Sequence, residues 1–289
     1  MSRHQVMRNS RKSGGGGIFV LIAFIFIIIL SFAIACVWQV ASGGTLPFFS
    51  EESSSSEVSN PESSTPESSE SQNESSSSQV EIVESGLVPE MERVLSGYFD
   101  DAIMVGDSLT AGIQLYSVMK NTTVISHTGI NVSTISTSKV ISSENGKITI
   151  PEAMAQHPDA KKIYILIGAN GISWMTKENF IEDYSEFIDI VKAQHPEAII
   201  FVQSIFPINE DLFEEHYSQE LTNDEIDEYN QAILKMAEEK GIYYLNVAED
   251  LKDVNGALSS EATSDGLHLG KAYYEKWFNY LKRHAIPVK

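Results

Sequence analysis

Ser108 stands two residues after Gly106, where the apolar run Ala102-Ile103-Met104-Val105 stops and helix-compatible residues, Leu109 to Met119, begin. In parallel α/β sheets a strand-to-helix turn of this kind lies at the carboxyl ends of the strands, where reactive groups are exposed. The hydroxyl would point into a crevice, and the Ser108 N–H would lie near a helix N-terminus, free to meet an anion. A serine hydroxyl is a weak nucleophile unless a base takes its proton, and that base must be held in the right tautomer. The tripeptide Gly106-Asp107-Ser108 also fits a plain turn with an Asx or Ser cap.

The base must come from seven histidines. His4 belongs to the N-terminal segment, and His157 and His195 each precede a proline at the end of a helix-like stretch. His216 lies in a charged insertion and His284 at the C-terminal end, while His127 follows the second strand as lining or as scaffold. His268 remains, in Thr263-Ser264-Asp265-Gly266-Leu267-His268, just before the last helical stretch. Asp265 is three residues earlier, close enough in a turn to accept from the imidazole Nδ1–H and leave Nε2 for the serine. The same residues fit a helix start, with Asp265 as N-cap and His268 in the first turn.

Acyl transfer also needs donors for a developing oxyanion. Gly129, in His127-Thr128-Gly129-Ile130-Asn131, follows the second strand and can present its backbone N–H with no Cβ in the way. Asn170, in Ile167-Gly168-Ala169-Asn170-Gly171, follows the third and offers a side-chain amide. Either alone is an ordinary loop residue.

Together, Gly106-Asp107-Ser108-Leu109, Gly129, Gly168-Ala169-Asn170 and Asp265-Gly266-Leu267-His268 resemble the four signature segments of the SGNH, or GDSL, hydrolases. The resemblance covers about residues 98–285. It implies a flavodoxin-like α/β/α fold with strand order 2-1-3-4-5 and hydrolysis of esters without a metal or other cofactor. By position it implies Ser108 as nucleophile, His268 as base and Asp265 as the partner that orients it. Ser108 N–H, Gly129 N–H and Asn170 Nδ2 would form the oxyanion hole. That family often has Asp directly after the asparagine; here Gly171 stands there. No Gly-x-Ser-x-Gly segment competes with Ser108.

The elements that must position these residues read as follows. Strand-like runs occur at Ala102–Val105, Thr123–Ser126, Ile163–Ile167, Ala198–Gln203 and Ile242–Val247. Helical patterns separate the later ones. Phe180, Tyr184, Phe187, Ile188 and Val191 share a face that ends at His195-Pro196. Thr222 to Glu225 is a capping box before a stripe of Ile226, Tyr229, Ile233 and Met236, and Gly241 stops that helix. A last helix over Leu269–Arg283 turns Tyr273, Trp277 and Tyr280 inward. Asn145-Gly146 suggests a hairpin turn between Val140-Ile141 and Ile148-Ile150. Gly86 to Phe99 reads as a short amphipathic lead-in. Five mostly apolar strands joined by helices predict a five-stranded parallel sheet covered on both faces, a three-layer α/β/α domain over residues 96–289.

The first third of the chain is not globular in composition. Residues 1–17 are basic. The uncharged run of 21 residues from Ile18 to Trp38 would span about 31 Å as a helix, close to a bilayer's hydrocarbon thickness. A membrane-spanning helix over 18–40 is therefore expected. Ala33-Ile34-Ala35-Cys36 faintly resembles a lipoprotein cleavage site, with Cys36 lipidated as the alternative, although apolar residues continue past it. Bases before the span and acids after it predict a cytoplasmic N-terminus with the bulk outside the cell.

Residues 41–85 are rich in Ser and Glu and lack the apolar surface to offset ordering entropy, so a disordered tether with a coil dimension of about 40 Å is expected. The formal charge of −20 argues against nucleic-acid binding. Cys36 is the single cysteine, which excludes internal disulfides and Cys-based zinc sites.

Set outside the cell, such a domain is expected to act, as a monomer, on short acyl esters, acetyl above all, of small molecules or of wall and environmental glycans. The insertion Pro207–Leu221, with Ile208, Leu212, Phe213, His216 and Tyr217, either walls the site or is a solvated loop with a few anchors. Two alternatives share the same fold: an O-acyltransferase that passes the acyl group to a sugar hydroxyl, and a tethered binding module without catalysis.

Overall fold

The computed structural model describes residues 85–287. The expected membrane span and tether lie outside them. Among the described residues no helix is long and apolar enough to cross a membrane.

The strands are β1 (Gly86–Leu87), β2 (Ala102–Gly106), β3 (Thr123–Ser126), β4 (Ile141–Ser143), β5 (Gly146–Ile148), β6 (Lys162–Leu166), β7 (Ile199–Gln203) and β8 (Tyr243–Leu245). The helices are α1 (Ser108–Tyr116), α2 (Ile150–Met154), α3 (Lys177–Gln194), α4 (Glu210–His216), α5 (Asn223–Lys240), α6 (Val247–Leu251) and α7 (Lys271–Arg283), with a 3-10 turn at Ser96–Phe99.

Six strands form one parallel sheet in the order β1-β8-β7-β6-β2-β3. Without β1 this is the 2-1-3-4-5 order. The expected count of five strands is corrected to six, because Gly86–Leu87 leaves the lead-in segment and pairs with Tyr243 and Tyr244. Two residues of strand are too short to leave a periodic signal. Parallel strands buried on both faces need apolar side chains in both directions; β2 is buried throughout, and β6 is apolar from Ile163 to Leu166, its buried first residue, Lys162, being paired with Asp101.

Alternation along the strands divides the core in two. Ile103, Val105, Ile163, Ile165, Ile200 and Val202 face α3 and α5. Met104, Tyr164, Leu166 and Phe201 face α1, α6 and α7. The predicted stripes of α3 and α5 are buried. The Thr222–Glu225 capping box is formed, and Gly241 closes α5 in the left-handed conformation. In α7 the buried set is Tyr274, Trp277, Phe278, Tyr280, Leu281 and Lys282. Tyr273, expected inward, is half-buried at the rim, because the buried stripe of α7 centres on Tyr274, Trp277, Phe278 and Leu281. The hairpin β4–β5 is present, with Ser143 opposite Gly146, so its two loop residues are Glu144 and Asn145.

Candidate active site

β2 ends at Gly106, and Asp107 caps α1, its Oδ1 accepting from Leu109 N at 3.0 Å. Ser108 is the first residue of α1, where the N–H lacks an intrahelical acceptor. The cap and the hydroxyl are thus supplied by adjacent residues: Asp107 is buried, while Ser108 is half-buried.

His268 reaches the same point from the other end of the domain. Its Nε2 lies 2.9 Å from Ser108 Oγ, and its Nδ1 lies 2.8 Å from Asp265 Oδ2. Asp265 is not the cap of α7. That position belongs to Gly270, which makes no side-chain cap bond, and His268 sits in the preceding loop. Asp265 instead organises its own turn, Oδ1 accepting from Leu267 N at 3.0 Å and His268 N at 2.8 Å, and from Thr263 Oγ1 at 3.2 Å.

Burial works to raise the Asp265 carboxyl. The His268 ring, the two backbone N–H groups and the Tyr217 hydroxyl outweigh it, and the carboxyl is held well below the usual range. It is therefore a stable acceptor for Nδ1–H, which leaves Nε2 to accept a proton from the serine. The site has an opening to solvent, since the His268 side chain is 42% exposed.

Two loops border Ser108. In the β3 loop, Gly129 has φ +78, and nothing lies within 4 Å of where a Cβ would sit. The left-handed backbone, not crowding, is what favours glycine there. In the β6 loop, Asn170 Nδ2 donates to Ile130 O at 3.1 Å and to Asp107 Oδ2 at 3.3 Å. This amide ties the β3 loop to the β2–α1 turn, and both of its hydrogens are engaged. Gly171 N bonds Gly168 O at 2.8 Å in a tight turn, so the loop closes without an aspartate at 171.

The sequence assigns Asp107 no site role and names Tyr217 only as part of an insertion that either walls the site or is a solvated loop with a few anchors. Asp107 could have been read as an N-cap, since Asp before a helix start is a common signal. Tyr217 Oη donates to Asp265 Oδ2 at 3.0 Å. No local pattern announces this, because it depends on how the insertion seats on the Asp265–His268 loop. The insertion is a wall carrying α4, with Phe213 buried.

A hydroxyl, an imidazole and a carboxylate thus stand in series at the carboxyl edge of a parallel sheet. The GDSL-like Lipase/Acylhydrolase family matches residues 104–276, more than half of the chain. The chain belongs to this family, and it is a hydrolase of ester bonds.

Among solved structures it is similar to a Streptococcus pneumonia protein described provisionally as a platelet activating factor, with 24% identity, TM-score 0.50, and 63% of this chain and 82% of that one covered. It is also similar to a GDSL-like lipase from Bacteroides thetaiotaomicron (13% identity, TM-score 0.47, 67% and 89% covered). A Clostridium thermocellum family 3 carbohydrate esterase is a third (19% identity, TM-score 0.43, 63% and 94% covered). The first likeness shows a shared fold. No curated protein matches the sequence.

Proposed function

We propose that the chain is a membrane-tethered esterase with its catalytic domain outside the cell, removing short acyl groups, acetyl above all, from glycan hydroxyls through an acyl-enzyme on Ser108. Ser108 Oγ attacks the ester carbonyl as His268 Nε2 takes its proton. His268 returns that proton to the departing sugar oxygen, then takes one from water as the water attacks the acyl-enzyme. Acetate leaves and Ser108 Oγ is reprotonated. Asp265 keeps the Nδ1–H directed at itself and stabilises the imidazolium formed in each half.

The observation that carries this reading is the unbroken series of contacts at 2.9 and 2.8 Å from Ser108 Oγ through His268 to Asp265. The tetrahedral oxyanion would be met by the N–H groups of Ser108 and Gly129 and by Asn170 Nδ2. To donate, Asn170 releases the Ile130 carbonyl and keeps its hydrogen bond to the Asp107 carboxylate, the charge-assisted one of the two.

Sugar as the alcohol part is supported by Trp174. Its Nε1 is satisfied by the Asn170 carbonyl at 2.9 Å, yet the residue is 59% exposed. An indole fixed beside the candidate oxyanion donor, with its only polar atom already paired, offers a face for a pyranose ring. Membrane attachment is supported by the 21-residue uncharged run and the four bases that precede it. A net charge of −20 speaks against a nucleic-acid partner.

Two variants test the proposal. Ser108→Ala is expected to lower kcat/KM for p-nitrophenyl acetate by at least about 10³-fold, and to abolish labelling by a fluorophosphonate probe, with Tm unchanged. A wild-type protein that turns over no short-chain ester overturns the reading. Trp174→Ala is expected to raise KM for an acetylated oligosaccharide about tenfold while leaving p-nitrophenyl acetate hydrolysis within about twofold. Equal effects on both substrates remove the sugar from the proposal. Acetate released with and without an added glycan acceptor measures how far water is the acceptor.

A further inference from the structure

The insertion between β7 and α5 brings a side chain to the site that the mechanism above does not use. Asn209 opens its helix: its Oδ1 caps α4 at Leu212 N (3.1 Å), its Nδ2 donates to Leu258 O (3.0 Å), and its N–H donates to Gly266 O (2.9 Å). Gly266 lies at φ +87, and a Cβ there would fall 2.3 Å from Phe213 N. α4 and the Asp265–His268 loop therefore pack backbone to backbone, a fit that no other residue at 266 would permit.

Tyr217 is the C-cap residue of α4, and its ring stacks on buried Phe213 at a centroid distance of 4.6 Å. From there its hydroxyl reaches Asp265 Oδ2 at 3.0 Å and stands 3.3 Å from His268 Nδ1.

We propose that Tyr217 is a positioning residue for the ester hydrolysis: its hydroxyl occupies the second acceptor direction of Asp265 Oδ2, fixing the carboxylate against His268 and limiting its hold on the imidazolium proton. This rests on Ser108, His268 and Asp265 being the reacting set. Asp265 Oδ1 is already filled by two backbone N–H groups and Thr263, so Oδ2 is the oxygen whose remaining capacity decides how strongly it pulls on Nδ1–H. Burial first, and then the bond and charge of Asp265, push the Tyr217 phenol up to about 12, so it stays a donor throughout the working range.

The titratable groups around His268 come from three elements: Asp265 on its own loop, Tyr217 on the insertion and Asp107 on the β2–α1 turn. His216, next to Tyr217, is turned back onto its own helix, with Nδ1 2.9 Å from Leu212 O.

The test compares Tyr217→Phe and Tyr217→Ala with wild type through the pH profile of kcat/KM on p-nitrophenyl acetate, thermal melts, and the one-dimensional proton NMR signal of the imidazole Nδ1–H. Tyr217→Phe keeps the stack on Phe213 and removes one oxygen. Its Tm is expected to hold, and its plateau kcat/KM to fall about threefold to tenfold with KM little changed. The acid limb is expected to move up by about half a pH unit, because an uncompensated carboxylate holds the imidazolium more tightly. The Nδ1–H signal should move downfield. Tyr217→Ala should show the same limb shift together with a lower Tm.

An unmoved limb and an unmoved Nδ1–H signal in Tyr217→Phe overturn the proposal, as does an activity loss that follows Tm alone. Should wild type hydrolyse no ester, the reacting set itself is wrong. The Nδ1–H signal then judges the contact separately: a shift sustains the hold of Tyr217 on the Asp265–His268 pair, and no shift ends it.

Discussion

Asp107 holds two donors at once, Leu109 N through Oδ1 and Asn170 Nδ2 through Oδ2, while 2% exposed. Burial pushes its carboxyl from 3.8 up to about 6, opposed by the Leu109 N–H and by the His268 charge. A folded-state value above the unfolded one sets the sign. Its contribution to stability is fully present below about pH 4 and is lost as pH rises through about 6, a loss of at most about 3 kcal/mol. Asp107→Asn is expected to cancel that dependence, so that its Tm gains on wild type between pH 4 and pH 7. Whichever way an asparagine amide turns at 107, one of the two donors meets an N–H₂, and kcat is expected to fall about tenfold to a hundredfold. Melts across pH beside steady-state kinetics check both halves; a variant with full activity would show that Asn170 needs no anchor at Asp107.

At this scale the residues that the structure brings together were legible in the sequence by type and position: a serine at a strand-to-helix turn, and a histidine three residues after an aspartate. Asp107 and Tyr217 were not, since their roles follow from which loops touch, and local spacing carries no record of that.

The elements were legible where burial is complete. β2, β6 and β7 are apolar on both faces and read as continuous runs, while α3 and α5 carry their core stripes at helical spacing with a cap at each end of α5. Errors collected at the margins. Leu87 is exposed and Gly86 has no side chain, so β1 offers no pattern at all, and its place in the sheet is set by the neighbouring Tyr243 and Tyr244.

That short strand nonetheless has energetic weight. Gly86 N donates to Ile242 O at 2.9 Å, Val88 N to Tyr244 O at 3.0 Å, and Val88 is 1% exposed against the α7 side of the core. Burying Val88 and pairing β1 together should be worth about 2 to 3 kcal/mol. A protein starting at residue 89 is expected to melt roughly 4–12 °C below one starting at residue 85, with kcat unchanged in the temperature range where both are folded. Equal melting points would show that the sheet needs only five strands.

Across the whole domain, parallel strands sort every loop to one of two ends. Ser108, Gly129 and Asn170 all follow carboxyl ends, and His268 joins them there. The chain comes in at Gly86, beside the first residue of β8, and Met91 and Val94 bond the carbonyls of Arg283 and Lys282 at the close of α7. Both extremities of the domain thus emerge from its floor, while the reacting groups open through its roof. A reagent that reaches Ser108 from above therefore does not meet the backbone at residue 85.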